Sequence, residues 1–260
     1  MWINLQDLKE KKRIKNNKSS VNKFLKLAYQ PYKWLVVIPF LFLITMVLGL
    51  ICIIVGFVFS QDAANILAVT WSRLCCAIAP LKVIVTGKKN YRHHRSYVVV
   101  ANHQSMADIP ILHGFLGLKI KWVMKKELEK IPIFGAACNQ LGCIAIDRSN
   151  HKSAIESIEA AKKKLSSKAS VLFFAEGTRS RNGKVMAFKK GAFIFAMETG
   201  IPILPVTIKN SFEILPSDSL DLTPGTVEIL VHQPVYISSA NADHMDEIME
   251  KTRQTIAQSL

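Results

Sequence analysis

The chain has 260 residues, half of them hydrophobic, and its 34 lysines and arginines against 19 carboxylates give a formal charge of +15. That length leaves room for one catalytic domain plus an anchor. The basic excess by itself fits nucleic acid or anionic lipid, and an uncharged run at 34–60 decides for lipid, because a nucleic-acid protein has no need of it.

Taken in chain order, nine basic side chains from Lys9 to Lys33 face only Asp7 and Glu10. This arm is expected to lie on an anionic cytoplasmic leaflet. Residues 34–60 are long enough to cross a bilayer, where about 20 apolar residues suffice at about 1.5 Å each. The run starts too late and is too long for a cleaved signal peptide. Residues 63–81 are apolar apart from Asn65, Arg73 and a few small polar residues, and Lys82, Lys88, Lys89, Arg92 and Arg95 follow. Basic flanks at both ends predict a two-helix hairpin that crosses the membrane or dips into one leaflet, with both ends cytoplasmic and Arg73 snorkelling or lying at an interface.

Beyond the hairpin, β-branched and apolar runs predict strands over 82–86, 96–101, 120–124, 143–146, 170–175, 203–208 and 226–231. Helical patterns lie between them or after them, at 153–165, 192–198 and 243–258. This alternation predicts an α/β domain with a mainly parallel mixed sheet flanked by helices on both faces. The chain thus divides into a basic arm and helical hairpin anchor over 1–85 and an α/β domain over 86–260. The loop at 212–224 is its least regular part and either flanks the site or simply connects.

Two blocks are candidates for chemistry, the alternatives being a surface hydrogen bond or helix cap for the first and a charged hairpin loop for the second. Asn102-His103-Gln104-Ser105-Met106-Ala107-Asp108 sets an imidazole and a carboxylate five positions apart where a strand turns into a helix. A carboxylate that accepts one ring N–H fixes the tautomer and leaves the other nitrogen as a base near neutral pH. The second block, Glu176-Gly177-Thr178-Arg179-Ser180-Arg181, follows a buried strand and has the composition of an anion site. Its glycine permits close approach, and Arg179 offers a planar fork to phosphate. The Walker A spacing fails here, since five residues separate Gly177 from Gly183 and Val185 follows Lys184.

With Lys126-Glu127-Leu128, Pro132, Phe134, Gly135 and Ile146-Asp147-Arg148, then Ile201-Pro202-Ile203-Leu204-Pro205-Val206, these blocks resemble the 1-acyl-glycerol-3-phosphate acyltransferase family over about residues 86–210. Ala175 stands where the family has proline. The resemblance implies an O-acyltransferase moving an acyl chain from acyl-coenzyme A or acyl-carrier protein to the 2-hydroxyl of lysophosphatidate, without cofactor or metal. In that picture His103 is the general base and Asp108 orients it. Glu176, Gly177, Thr178 and Arg179 bind the glycerol phosphate, and Arg148 is either a further phosphate contact or a partner of Asp147 or Glu127. Lys189 and Lys190 meet the acyl donor or are a solvated helix start. Direct attack is expected, because the Gly-x-Ser-x-Gly elbow is absent and Ser105 reads as a turn or cap residue. The alternatives are transfer to another lysophospholipid or to glycerol 3-phosphate, and, outside enzymology, a non-catalytic membrane lipid-binding scaffold. The implied partners are lysophosphatidate, the acyl donor and anionic membrane lipids, with no nucleic acid.

The remaining polar residues read as structural. Cys52, Cys75, Cys76, Cys138 and Cys143 form neither zinc spacing nor a disulfide framework and are expected as reduced thiols. His113 is expected as a packed core histidine, and His93 and His94 as a polar turn.

Overall fold

A fully buried strand must be apolar on both faces, and Val98-Val99-Val100-Ala101 meets that demand with four residues at 0% exposure. In the computed structural model, which describes residues 27–147, 169–237 and 243–260, this segment is β2 (Val98–Ala101) near the middle of a seven-stranded sheet. The other strands are β1 (Leu81–Thr86), β3 (Ile120–Lys125), β4 (Ile144–Ile146), β5 (Ser170–Phe174), β6 (Ile203–Lys209) and β7 (Gly225–Val231). Their order is β1-β7-β6-β2-β5-β3-β4. Strands β6, β2, β5, β3 and β4 are mutually parallel, β7 joins β6 antiparallel, and β1 joins β7 parallel. The expected mixed, mainly parallel sheet is therefore present. All seven expected strands form, with ends shifted by at most two residues.

The period-two alternation of the strands separates two cores. Val99, Ala101, Leu172 and Leu204 point to one face and pack on Ile111, Leu112 and Leu116. Val98, Val100, Val171 and Phe173 point to the other and pack on Phe193, Phe195 and Ile256. The helices involved are α3 (Asp108–Phe115) on the first face and α5 (Gly191–Thr199) and α7 (Met245–Ala257) on the second. Two shorter helices complete the described part of the domain, α4 (Phe134–Gln140) after β3 and α6 (Ser211–Ile214) after β6. The helix expected at 153–165 and the basic arm through residue 26 lie outside the described residues.

The chain enters through α1 (Leu27–Val58), the one helix among the described residues long and apolar enough to cross a membrane. Its 32 residues span about 48 Å at about 1.5 Å per residue. Only 11% of its most apolar window is buried, so it is not the hidden core helix of the domain. A π-turn at Lys33–Val37 interrupts its ladder, and Ile38 N–H reaches back five residues to Lys33 O. Pro39, which has no N–H and crowds the carbonyl four residues earlier, accounts for that widening.

Helix α2 (Gln61–Ile78) follows directly, its first turn capped by Ser60 Oγ accepting from Ala63 N–H at 3.1 Å, and packs along α1. The expected two-helix hairpin is thus present. Only α1 meets the length and hydropathy needed to span; α2 docks on the domain through α3, burying Ala64, Ser72, Cys75 and Cys76. Ser72 lies so close to Gly114 that a Cβ there would come within 3.1 Å of the Ser72 Cβ. Arg73 therefore has a protein partner, its Nε–H donating to Gly114 O at 3.0 Å near the C-terminus of α3, where a cation is favoured.

Candidate active site

The site is assembled where β2 and β5 end. Asn102 continues the path of β2 by side chain: its Oδ1 accepts from Ile208 N–H at 2.8 Å and its Nδ2 donates to Ile208 O at 3.0 Å. That clamp to β6 fixes where the chain leaves the sheet. His103 comes next, its ring stacked on Phe174 from β5 with centroids 3.7 Å apart and planes 6° from parallel.

Asp108 opens α3 and is completely buried. Its Oδ2 accepts from His103 Nδ1 at 2.9 Å, Gln104 N–H at 2.7 Å and Ser105 N–H at 2.9 Å. An ionised carboxylate only accepts, so Nδ1 carries the ring proton and Nε2 is left as the basic nitrogen. The backbone donors and the α3 N-terminus stabilise the buried charge. Ser105 Oγ accepts from Ala107 N–H at 3.0 Å, which is the work of a turn residue.

Glu176 does something other than the phosphate contact the resemblance implies. Its Oε1 accepts from His103 N–H and its Oε2 from Met186 N–H, both at 2.8 Å, and the residue is 3% exposed. It therefore bridges the two motif loops, and its negative charge would oppose a phosphate. Burial pushes its carboxyl up to about 6 despite the two hydrogen bonds, with the Asp108 charge adding to the rise. The same loops are joined by Ser180 N–H to His103 O at 2.8 Å and by Gln104 Nε2 to Gly183 O at 2.6 Å.

The anion-binding candidates sit beside this scaffold. Gly177 adopts φ +75°, which favours glycine, and the end of the Lys189 side chain lies over it, 2.8 Å from where a Cβ would stand. Gly177, Thr178 and Arg179 line one cavity with His103. Arg179 Nη2 is 3.3 Å from Asp218, which also meets Arg181 at 3.3 Å. Lys189 lies over Gly177, close to this group. Lys190 does not join it, being paired with Asp246 of α7 at 2.7 Å. Arg148 lies outside the described residues.

The cavity was not foreseen from the sequence. It has a volume of about 350 Å³ and runs from His103 and Arg179 into an apolar space between α1, α2, β3 and α4. Leu48 and Cys52 of α1, Leu67 and Trp71 of α2 and Ala137 of α4 contribute to its wall. Ile133, held at φ +62°, also lines it, a strained conformation for a β-branched residue. His113 is the buried histidine expected, its Nδ1 accepting from Trp122 Nε1–H at 2.9 Å and its basicity reduced by burial to about 4. The loop at 212–224 flanks the site: Ser217 Oγ meets Ser180 O at 2.7 Å and Gln104 O at 3.1 Å, while Lys33 Nζ of α1 donates to Leu220 O at 3.2 Å.

Comparison with known proteins places this arrangement. The Acyltransferase family model matches residues 82–209. The chloroplastic 1-acyl-sn-glycerol-3-phosphate acyltransferase of Brassica napus is 36% identical over 164 residues, covering 63% of this chain and 46% of that protein. The chain spans about half the length of the plant relatives it matches. The 1-acyl-sn-glycerol-3-phosphate acyltransferase of Helicobacter pylori is 31% identical over 208 residues, 78% of this chain and 87% of that protein. The crystal structure of PlsC, the 1-acyl-sn-glycerophosphate acyltransferase of Thermotoga maritima, shares the fold with a TM-score of 0.72 at 26% identity, over 91% of this chain and 95% of the other. With the ordered motifs and this sheet, these matches establish that the chain belongs to the 1-acyl-sn-glycerol-3-phosphate acyltransferase family.

Proposed function

We propose that the protein transfers an acyl chain from acyl-coenzyme A or acyl-carrier protein to the 2-hydroxyl of 1-acyl-sn-glycerol 3-phosphate, releasing phosphatidate and a free thiol. The observation that carries this reading is the His103–Asp108 pair at the mouth of an apolar cavity, with Arg179 on the same wall. His103 Nε2 takes the proton of the acceptor hydroxyl as its oxygen attacks the thioester carbonyl. The imidazolium so formed is stabilised by Asp108, and when the tetrahedral intermediate collapses the C–S bond breaks and the thiolate recovers the proton. Stacking on Phe174 and the Glu176 bridge to His103 N–H hold the base in place without taking its Nε2.

Arg179 is the phosphate ligand in this reading. Its present ion pair with the half-exposed Asp218 is a long surface contact worth about 1 kcal/mol at most, which a phosphate dianion readily displaces. The acyl chain lies in the cavity, whose volume falls within the range of about 300–1,000 Å³ usual for ligand sites. Because α1 and α2 form part of that wall, the chain can pass from bilayer to site without crossing water. We place the α1–α2 hairpin in the membrane, with both of its ends and the catalytic domain on the cytoplasmic face, where the basic arm meets anionic lipid.

The test is acyl transfer by detergent-purified protein to lysophosphatidate, glycerol 3-phosphate and lysophosphatidylcholine, offered separately with radiolabelled acyl-coenzyme A or acyl-carrier protein. Phosphatidate from lysophosphatidate is the expected product. Product only from another acceptor overturns the substrate assignment, and no product with either donor overturns the reaction.

A further inference from the structure

The turn between α4 and β4 brings together two thiols for which acyl transfer has no use. Helix α4 ends at Leu141 with Gly142 in the left-handed region at φ +71°. Gly142 N–H donates to Asn139 O at 3.0 Å, and Cys143 N–H donates to Cys138 O at 2.9 Å. This pair of bonds is the Schellman pattern, which sets the side chain third from the helix end against that two residues past its cap, normally as an apolar contact. Here both positions are cysteine. Cys138 and Cys143 are free thiols, and both line the cavity beside His103.

Their surroundings differ in a way that divides the labour of a redox pair. The hydrogen bond from Cys138, with the Trp122 backbone N–H and the nearby Lys121 ammonium, holds the Cys143 thiol below its ordinary value. Cys138 is pushed up by giving that hydrogen bond and by burial. Either thiol, as its thiolate, opens the reaction, and Cys143 is the one that these surroundings favour.

We propose that Cys138 and Cys143 form a hydroperoxide-sensitive dithiol in the cavity wall, whose oxidation to a disulfide slows transfer of long acyl chains. The Cys143 thiolate attacks one peroxide oxygen; the O–O bond breaks, an S–O bond forms, and the leaving hydroxide or alkoxide takes up the proton that Cys143 released, departing as water or an alcohol. Cys138 then attacks the sulfenic sulfur, forming the S–S bond, while the S–O bond breaks and water departs with the Cys138 proton. The two thiols lose two electrons and the hydroperoxide gains them; an external thiol reverses the change. Closing the sulfurs from non-bonded contact to about 2.05 Å draws the end of α4 onto β4. That shifts Phe134, Ala137 and Leu141, which line the same space. The effect on transfer rests on reading the cavity as the acyl site.

The experiment treats the full-length protein with hydrogen peroxide or a long-chain fatty-acid hydroperoxide in separate arms, then maps disulfides by mass spectrometry and measures acyl transfer before and after dithiothreitol. A Cys138–Cys143 disulfide from either oxidant is expected, the faster arm identifying the source. Transfer from a long-chain donor should fall by about fivefold or more and recover on reduction. Cys138→Ser should give a dimedone-trapped sulfenic acid at Cys143, Cys143→Ser should give neither product, and in both the oxidised-to-reduced rate ratio should stay near one. No disulfide, or one to Cys52 instead, overturns the site. A disulfide that leaves the rate ratio unchanged overturns the regulation. If neither redox form makes phosphatidate, the functional reading fails while the mass map still decides the dithiol.

Discussion

Replacing Asp108 by Asn separates orientation of the base from stabilisation of its charge. Three N–H groups converge on Oδ2, at 2.7 to 2.9 Å, so the side-chain oxygen of Asn must occupy that position. The NH₂ then takes the place of Oδ1, which is buried without a hydrogen-bond partner. The amide oxygen still accepts from His103 Nδ1, so the tautomer survives and only the charge is lost. A charge-assisted hydrogen bond is worth about 1.5–3 kcal/mol against about 0.5–1.5 for a neutral one. The difference of about 1–2 kcal/mol corresponds to a kcat lower by about 5- to 30-fold. The assay is initial-rate phosphatidate formation at saturating substrates, with thermal melting to confirm the fold. A loss near 10⁴-fold, the size associated with an inverted histidine tautomer, would refute the convergence argument, and a loss under twofold would refute any action of Asp108 through His103.

Removing Glu176 as Glu176→Ala strips acceptors from two backbone donors, partly offset by relief of a buried charge, and should lower stability by about 2–4 kcal/mol. The native carboxyl lies at about 6 against an ordinary 4.5, so the folded state binds the proton more tightly and loses stability as pH rises through that interval. Melting of the native protein should thus show a decline of about 2 kcal/mol between pH 4.5 and 6.5 that the alanine variant lacks, and matching profiles would contradict the assignment. Arg179→Ala should raise the apparent KM for lysophosphatidate by about 10- to 100-fold; a change confined to the acyl donor would rule out the phosphate role. Ala137→Phe places an aromatic ring in the cavity and should depress transfer from long-chain donors far more than from short ones, a selectivity that vanishes if the chain lies elsewhere.

The sheet was legible because a buried strand has little choice of residue: the valines of 98–100 and the apolar run at 171–174 announce strands by composition alone. Their order was not, since the addition of β1 at the edge depends on contacts with β7 about 140 residues away, and the antiparallel return of β7 onto β6 on how the loop between them folds. His103 and Asp108 were legible because their whole interaction is local. Glu176 was found but its task was not: nothing near it in sequence shows that its oxygens reach His103 N–H and Met186 N–H. The docking of α2 on α3 was not legible, because small apolar residues serve close helix packing as well as lipid, and Ser72 against Gly114 is the former. The cavity has no linear signature, its walls coming from α1, α2, β3 and α4. Cys138 and Cys143 had one readable clue, the glycine that ends α4 just before the second thiol.

His103 as the base for direct acyl transfer is tested by comparing phosphatidate formation by native and His103→Ala protein at saturating lysophosphatidate and acyl donor. A loss of about 10²- to 10⁴-fold is expected, the usual contribution of a positioned general base, with binding of lysophosphatidate retained through Arg179. A variant that keeps turnover within threefold of the native rate would contradict it.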